Sequence, residues 1–272
     1  MLASLQGQAT DGADKWDYLI TISTNYGEMK VLLFDDTPKH KANFLKLINQ
    51  GFYDSLLFHR VMKDFMIQGG DPDSRIAAPG AALGRGGPGY TIPAEVNRRR
   101  FHKKGALSAA RQPDRVNPHK ASSGSQFYIV QGDTIPEDRL VPLNREIIRD
   151  CLKKIKPNTP ISDSLQAAYT QGRDAFEEKL VDMSEQIYKE TGYRLAVPPE
   201  RVSAYTLQGG APHLDDQYTV FGQVIVGLDV IDKIAVVKVD RGNRPEEDVR
   251  MSITATRMKK KKITKIYGYV YE

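Results

Sequence analysis

A single cysteine, a single tryptophan and the lack of any long apolar run set the first limits on this 272-residue chain. Cys151 alone excludes an intrachain disulfide and a cysteine-built zinc site. The five histidines stand singly, which argues against a metal centre, and no metal or other cofactor is expected. No stretch approaches the roughly 18 apolar residues of a membrane-crossing helix. Met1 to Asp14 lack the basic start and apolar middle of a secretion signal, so 1–15 reads as a polar linker. Neither sign of charge dominates. The 39 basic and 34 acidic residues are spread widely and give a net charge of +5, which points to solubility rather than to a dedicated nucleic-acid binder. A monomer without a nucleic-acid partner is expected, with its compartment open between cytoplasm and periplasm.

What is present is short strands. Tyr18-Leu-Ile-Thr-Ile-Ser and Glu28-Met-Lys-Val-Leu-Leu-Phe flank Thr24-Asn25-Tyr26-Gly27, a hairpin signal. Asp36-Thr37-Pro38 should cap and open a helix whose buried face is Ala42, Phe44, Leu45, Leu47 and Ile48. Gly84-Arg85-Gly86-Gly87-Pro88-Gly89 spells a dinucleotide fingerprint, but Pro88 and Tyr90-Thr91-Ile92-Pro93 predict extended chain where that fingerprint needs a helix to begin. Gly105 to Ala110 and Gln126 to Val130 read as strands.

Between Pro136 and Tyr205 the texture becomes helical. Leu143, Ile147, Ile148, Cys151, Leu152 and Ile155 suggest one helix. Leu165, Tyr169, Gly172, Phe176, Leu180, Met183 and Ile187 suggest one long second helix starting near Ser162-Asp163. A helical hairpin inserted at 138–203 is therefore expected. Strand character returns at Tyr218 to Ile225 and Val249 to Met258. A last strand, Ile263 to Tyr271, is expected beyond a turn of Lys259 to Lys262, so that 259–272 is a basic turn and C-terminal strand. Many short strands without a β-α-β rhythm argue for a mainly β, closed or sandwich-like antiparallel sheet.

The central stretch runs from Phe58 to Asp71. It reads as a hairpin with Lys63-Asp64 at the tip, bringing Arg60 near Gln68 beside Phe65 and Met66. His59 falls on the opposite strand face and is expected to be packed or hydrogen-bonded rather than to act as a base. Phe58-His59-Arg60-Val61, followed by Phe65-Met66-Ile67-Gln68-Gly69-Gly70-Asp71, resembles the signature of the cyclophilin family of peptidyl-prolyl cis-trans isomerases. The resemblance covers roughly 16–135 and 205–258, within a domain of 16–258. It implies an eight-stranded antiparallel closed barrel capped by two helices.

That resemblance assigns residues. Arg60, Phe65 and Gln68 would be catalytic. Met66, Gly84, Ala110, Arg111, Gln126, Tyr128, His213, Leu214 and Tyr218 would bind substrate. The chain departs from the family pattern at four of these: Arg111 stands for Asn, Tyr128 for Phe, His213 for the Trp of animal cytosolic members, and Tyr218 for their His. The implied activity is isomerisation of X–Pro bonds in proline-containing peptides and in unfolded or folding chains. Arg60 would stabilise the twisted amide in an apolar pocket. The alternative is a non-catalytic module that holds proline peptides or a protein partner. The helical insertion would either bias what enters the groove or stabilise one end of the barrel.

Overall fold

The computed structural model describes residues 15–137, 140, 145–193, 195 and 197–271. The linker expected at 1–15, apart from Lys15, lies outside the described residues, as do Leu143 and the expected insertion boundary at 138. The chain divides into two compact units, one made of the chain up to Gly132 and from Leu214 onward, the other Asp133–His213.

In the first unit, alternating apolar residues make β1 (Trp16–Thr24) and β2 (Gly27–Leu33). Ile20, Ile22, Met29 and Val31 enter one core. Thr24 Oγ1 accepts the Tyr26 amide at 3.0 Å and donates to the Gly27 carbonyl at 2.9 Å, which closes the turn. Helix α1 (Pro38–Asn49) follows, burying Phe44, Leu47 and Ile48, while Ala42 is exposed. Thr37 does not cap it. The Thr37 hydroxyl donates to Phe34 O, and the Glu95 carboxylate accepts the Lys39 and His40 amides at 3.0 Å each. An anion from a distant loop thus satisfies orphan N–H groups at the positive end of the helix.

Strands β3 (Leu56–Met62) and β4 (Met66–Gly69) form the expected hairpin. Its tip takes three residues, Lys63 to Phe65, instead of two, with Asp64 at φ 60°. A short helical turn, Pro72–Ile76, and the glycine-rich loop come next. No helix begins inside that loop. Then follow β5 (Thr91–Ile92), β6 (Ala106–Arg111) and β7 (Ser122–Val130), the last beginning four residues before the expected Gln126.

The second unit is a group of short helices, not a hairpin: α2 (Arg145–Leu152), α3 (Pro160–Gln171), α4 (Arg173–Asp182), α5 (Ser184–Thr191) and α6 (Pro199–Leu207). The single long helix expected from Ser162 is cut at Gly172, whose φ of 123° no helix accommodates, and again at Met183. Apolar spacing continues in phase across both breaks, so periodicity alone does not reveal them. Cys151, Leu165, Leu180, Ile187 and Leu195 form this unit's core, whereas Tyr169, expected on the buried face, is 66% exposed.

The chain returns to the first unit with β8 (Val220–Val226), α7 (Leu228–Ala235), β9 (Arg250–Lys259) and α8 (Lys260–Tyr267). Hydrogen-bonded neighbours run β4-β3-β9-β1-β2-β8-β6-β7, and β7 pairs back onto β4, so eight antiparallel strands close into a barrel; β5 adds a short pairing on β7. Helices α1 and α7 contribute Phe44, Leu47, Val230, Ile231 and Ile234 to the barrel core.

The expected C-terminal strand is a helix instead. Ile263 is fully buried against Leu19 and Leu32, Tyr267 packs one turn later, and Gly268 ends the helix at φ 69°. Lys260 to Lys262 are therefore the first turn of α8, not a loop, and Lys259 ends β9. Among the described residues, no helix is long and apolar enough to cross a membrane.

Candidate active site

Hairpin register places Arg60 directly across from Gln68, and the β4–β7 pairing sets Gln68 beside Tyr128. Gln126 lies two residues before Tyr128, hence on the same sheet face. Three hydrogen bonds then fix each amide's direction. Gln126 Nε2 donates to the Gly86 carbonyl at 2.7 Å, so Gln126 Oε1 is left to accept from Gln68 Nε2 at 3.1 Å. Gln68 Oε1 in turn accepts from Arg60 Nη1 at 3.1 Å. Only a carbonyl can stand at the head of that chain, so neither glutamine is free to flip. Arg60 Nη2 faces the Met62 sulfur at 3.2 Å, a weak acceptor.

Beside the guanidinium opens a groove of about 150 Å³. Phe65 and Met66 come from the hairpin, Tyr128 from β7, and Leu214 and Tyr218 from the segment that leads into β8. Ala110 and Arg111, at the end of β6, make the remaining wall. The structure thus brings together nine of the residues expected at the site, including Arg60 and Gln68. Gln126 stands behind them, 7% exposed and joined through Gln68. Gly84 lies on the glycine-rich loop, its amide donating to Asp71 at 2.5 Å. His213 falls in the helical unit.

Two expected substrate-binding side chains are already engaged within the protein. Arg111 Nε donates to Gln217 O at 3.0 Å and Nη1 to Gln112 O at 2.9 Å and to Asp114 at 2.5 Å. Its guanidinium also lies 4.3 Å from the Tyr218 ring centre. These contacts pin it in the groove wall. The Tyr128 hydroxyl points inward, 3.0 Å from His102 Nε2. His102 Nδ1 and its own amide both lie 2.9 Å from Asp215 Oδ1. A carboxylate accepts only, so Nδ1 carries a proton and donates to Asp215, while Nε2 pairs with the Tyr128 hydroxyl. Burial pushes the Tyr128 phenol well above its ordinary range, which keeps it neutral.

Sequence reasoning missed His102, Asp215, Asp71 and Glu95. A tyrosine where the family has phenylalanine does announce a buried hydroxyl in need of a partner. It does not say which of the scattered histidines supplies it. His59 is buried on the far face of β3 as expected, but among the described residues neither ring nitrogen has a hydrogen-bond partner, and burial pushes its imidazole down to about 4.

A family profile described as cyclophilin type peptidyl-prolyl cis-trans isomerase/CLD matches residues 19–144 and 203–256. The chain is 33% identical over 236 residues to a Streptococcus pyogenes serotype M6 protein named as a bifunctional phosphatase/peptidyl-prolyl cis-trans isomerase. That match takes in 85% of this chain but spans only 37% of the relative. A protein of Staphylococcus saprophyticus subsp. saprophyticus, named as a peptidyl-prolyl cis-trans isomerase, is 31% identical over 234 residues, covering 85% of this chain and 87% of that one. Among solved structures, a Cryptosporidium parvum cyclophilin type isomerase superposes with a TM-score of 0.53 at 20% identity, over 89% of this chain and 98% of the other. The same isomerase in the presence of the dipeptide Ala-Pro gives 0.51 at 21%, over 88% and 98%. At such identities the two structures speak to the fold.

Proposed function

The chain belongs to the cyclophilin-type peptidyl-prolyl cis-trans isomerases, and we propose that it turns X–Pro bonds by donating a hydrogen bond from Arg60 to the prolyl nitrogen of the twisted amide. Conjugation gives such a bond a barrier of ~18–20 kcal/mol, and exchange takes roughly tens to hundreds of seconds. No covalent bond breaks, so no nucleophile is required. Twisting frees a lone pair on the prolyl nitrogen, and a donor set at that point binds the twisted state better than the planar one.

The observation that carries this reading is the fixed guanidinium. Gln68 and Gln126 hold Arg60 in one orientation at the edge of an otherwise apolar groove, where Phe65, Met66, Tyr128 and Leu214 can seat the proline ring. Acceleration of about 10⁴ needs ~5.5 kcal/mol. A charge-assisted hydrogen bond of ~1.5–3 kcal/mol, strengthened by exclusion of water, is of that scale. Proline-containing peptides and folding chains are the substrates this groove fits.

Exchange spectroscopy on an Ala-Pro peptide tests the assignment. Arg60→Ala is expected to lose about 10²-fold or more in kcat/KM, and Arg60→Lys most of the activity, because a point charge lacks the planar fork held by Gln68. Equal acceleration by wild type and Arg60→Ala would refute the role of Arg60. Tight peptide binding by the wild type without any acceleration would instead fit a non-catalytic groove.

A further inference from the structure

Asp71 is fully buried, and among the described residues no cation pairs with its carboxylate. Backbone amides hold it instead. Oδ1 accepts from Asp73 N at 2.9 Å, and Oδ2 accepts from Gly84 N at 2.5 Å and Gly86 N at 3.4 Å. The Asp71 backbone is itself tied to the barrel: its carbonyl accepts from Ser74 Oγ at 2.6 Å, and that hydroxyl accepts the Leu57 amide at 3.0 Å. Burying a carboxylate without a counter-charge is costly, so its position in the fold calls for a reason.

Gly86 supplies one. Its N–H faces Asp71, and its carbonyl is the acceptor that orients Gln126. We propose that Asp71 is a positioning residue for catalysis, fixing the backbone at Gly86 and, through Gln126 and Gln68, the guanidinium of Arg60. The path runs from the carboxylate through Gly86, whose N–H and C=O belong to adjacent peptide groups joined at its Cα, to two carboxamides and the guanidinium, every hydrogen bond along it having one possible sense. This inference rests on Arg60 being the donor to the prolyl nitrogen.

Contact geometry explains why glycine stands at the junction. A Cβ on Gly86 would overlap Asp71 Oδ1 and come within 2.8 Å of Asp73 Oδ2. At Gly87, next in the chain, an added Cβ meets nothing within 4 Å. Neither glycine has a φ in the left-handed region, so alanine is open to both backbones. The two substitutions therefore differ in one respect, whether the loop stays seated on Asp71.

Measured on an Ala-Pro peptide, Gly86→Ala is expected to lower kcat by about 10- to 100-fold with KM within about twofold, since the groove walls are untouched while the donor is displaced. Gly87→Ala should match the wild type. Asp71→Asn, which fills the same space but turns an NH₂ toward backbone N–H groups, should follow Gly86→Ala. The decisive readout is the double variant: in an Arg60→Ala background, Gly86→Ala should cost nothing further, because both act through one guanidinium. Additive losses, or a Gly86→Ala enzyme with wild-type kcat while Arg60→Ala is impaired, would overturn the role of Asp71 and leave that of Arg60 standing. A fully active Arg60→Ala would overturn both.

Discussion

His59 enters the barrel wall with 4% of its surface exposed, one residue before Arg60. Burial holds its imidazole near 4, against an ordinary 6.5. Because the folded value is depressed, the neutral ring adds its full stability above pH 6.5. As pH falls from there toward 4, the unfolded chain takes up a proton that the folded one refuses, and stability on the order of 3 kcal/mol is lost. His59→Leu is expected to flatten this part of the profile, as read by denaturant melts at several pH values; parallel curves for the two proteins would contradict it. Residue-scale contacts were legible only where strand register carries them. Arg60 and Gln68 face each other because a hairpin with that turn leaves them no other choice. Gln126 meets Gly86 across 40 residues and Tyr128 meets His102 across 26, and no periodicity encodes which loop returns to which strand.

Among the elements, both strands of the opening hairpin and α1 follow from alternation and amphipathic spacing. The errors lie where local signals oppose the tertiary outcome. Three lysines fill the first turn of α8, with no acidic residue there and no side-chain cap, the reverse of what a helix start favours. Burial of Ile263 against Leu19 and Leu32 prevails over that charge pattern. Ile263→Ala should therefore cost about 2–5 kcal/mol and speed amide exchange throughout α8. Ile266→Ala, at a side chain 52% exposed, should change neither. Comparable exchange in both variants would show that the helix is not held by this contact. The same competition explains α1, where a carboxylate 55 residues away displaced the local threonine as cap.

For the whole molecule, all eight barrel strands and both helices that cap them belong to the unit outside 133–213. The helical unit starts and finishes at one place, since Asp133 and Gly210 form an antiparallel bridge and Ile135 N donates to Tyr205 O at 3.1 Å. A chain with 134–209 replaced by a two- to four-residue turn is thus expected to fold and to isomerise a short Ala-Pro peptide at near wild-type rate. Failure to fold in a thermal melt would show that the barrel depends on the helical unit. The ring order has a further consequence for synthesis. Strand β9 fills the gap between β3 and β1, so a nascent chain holds both of those edges unpaired until the end of β9 leaves the ribosome. The roughly 200 residues between the end of β3 and the end of β9 take on the order of 10–40 s to translate, a time comparable with uncatalysed prolyl isomerisation. The helical unit is translated within that interval, and its length directly extends the exposure of two open strand edges to neighbouring chains.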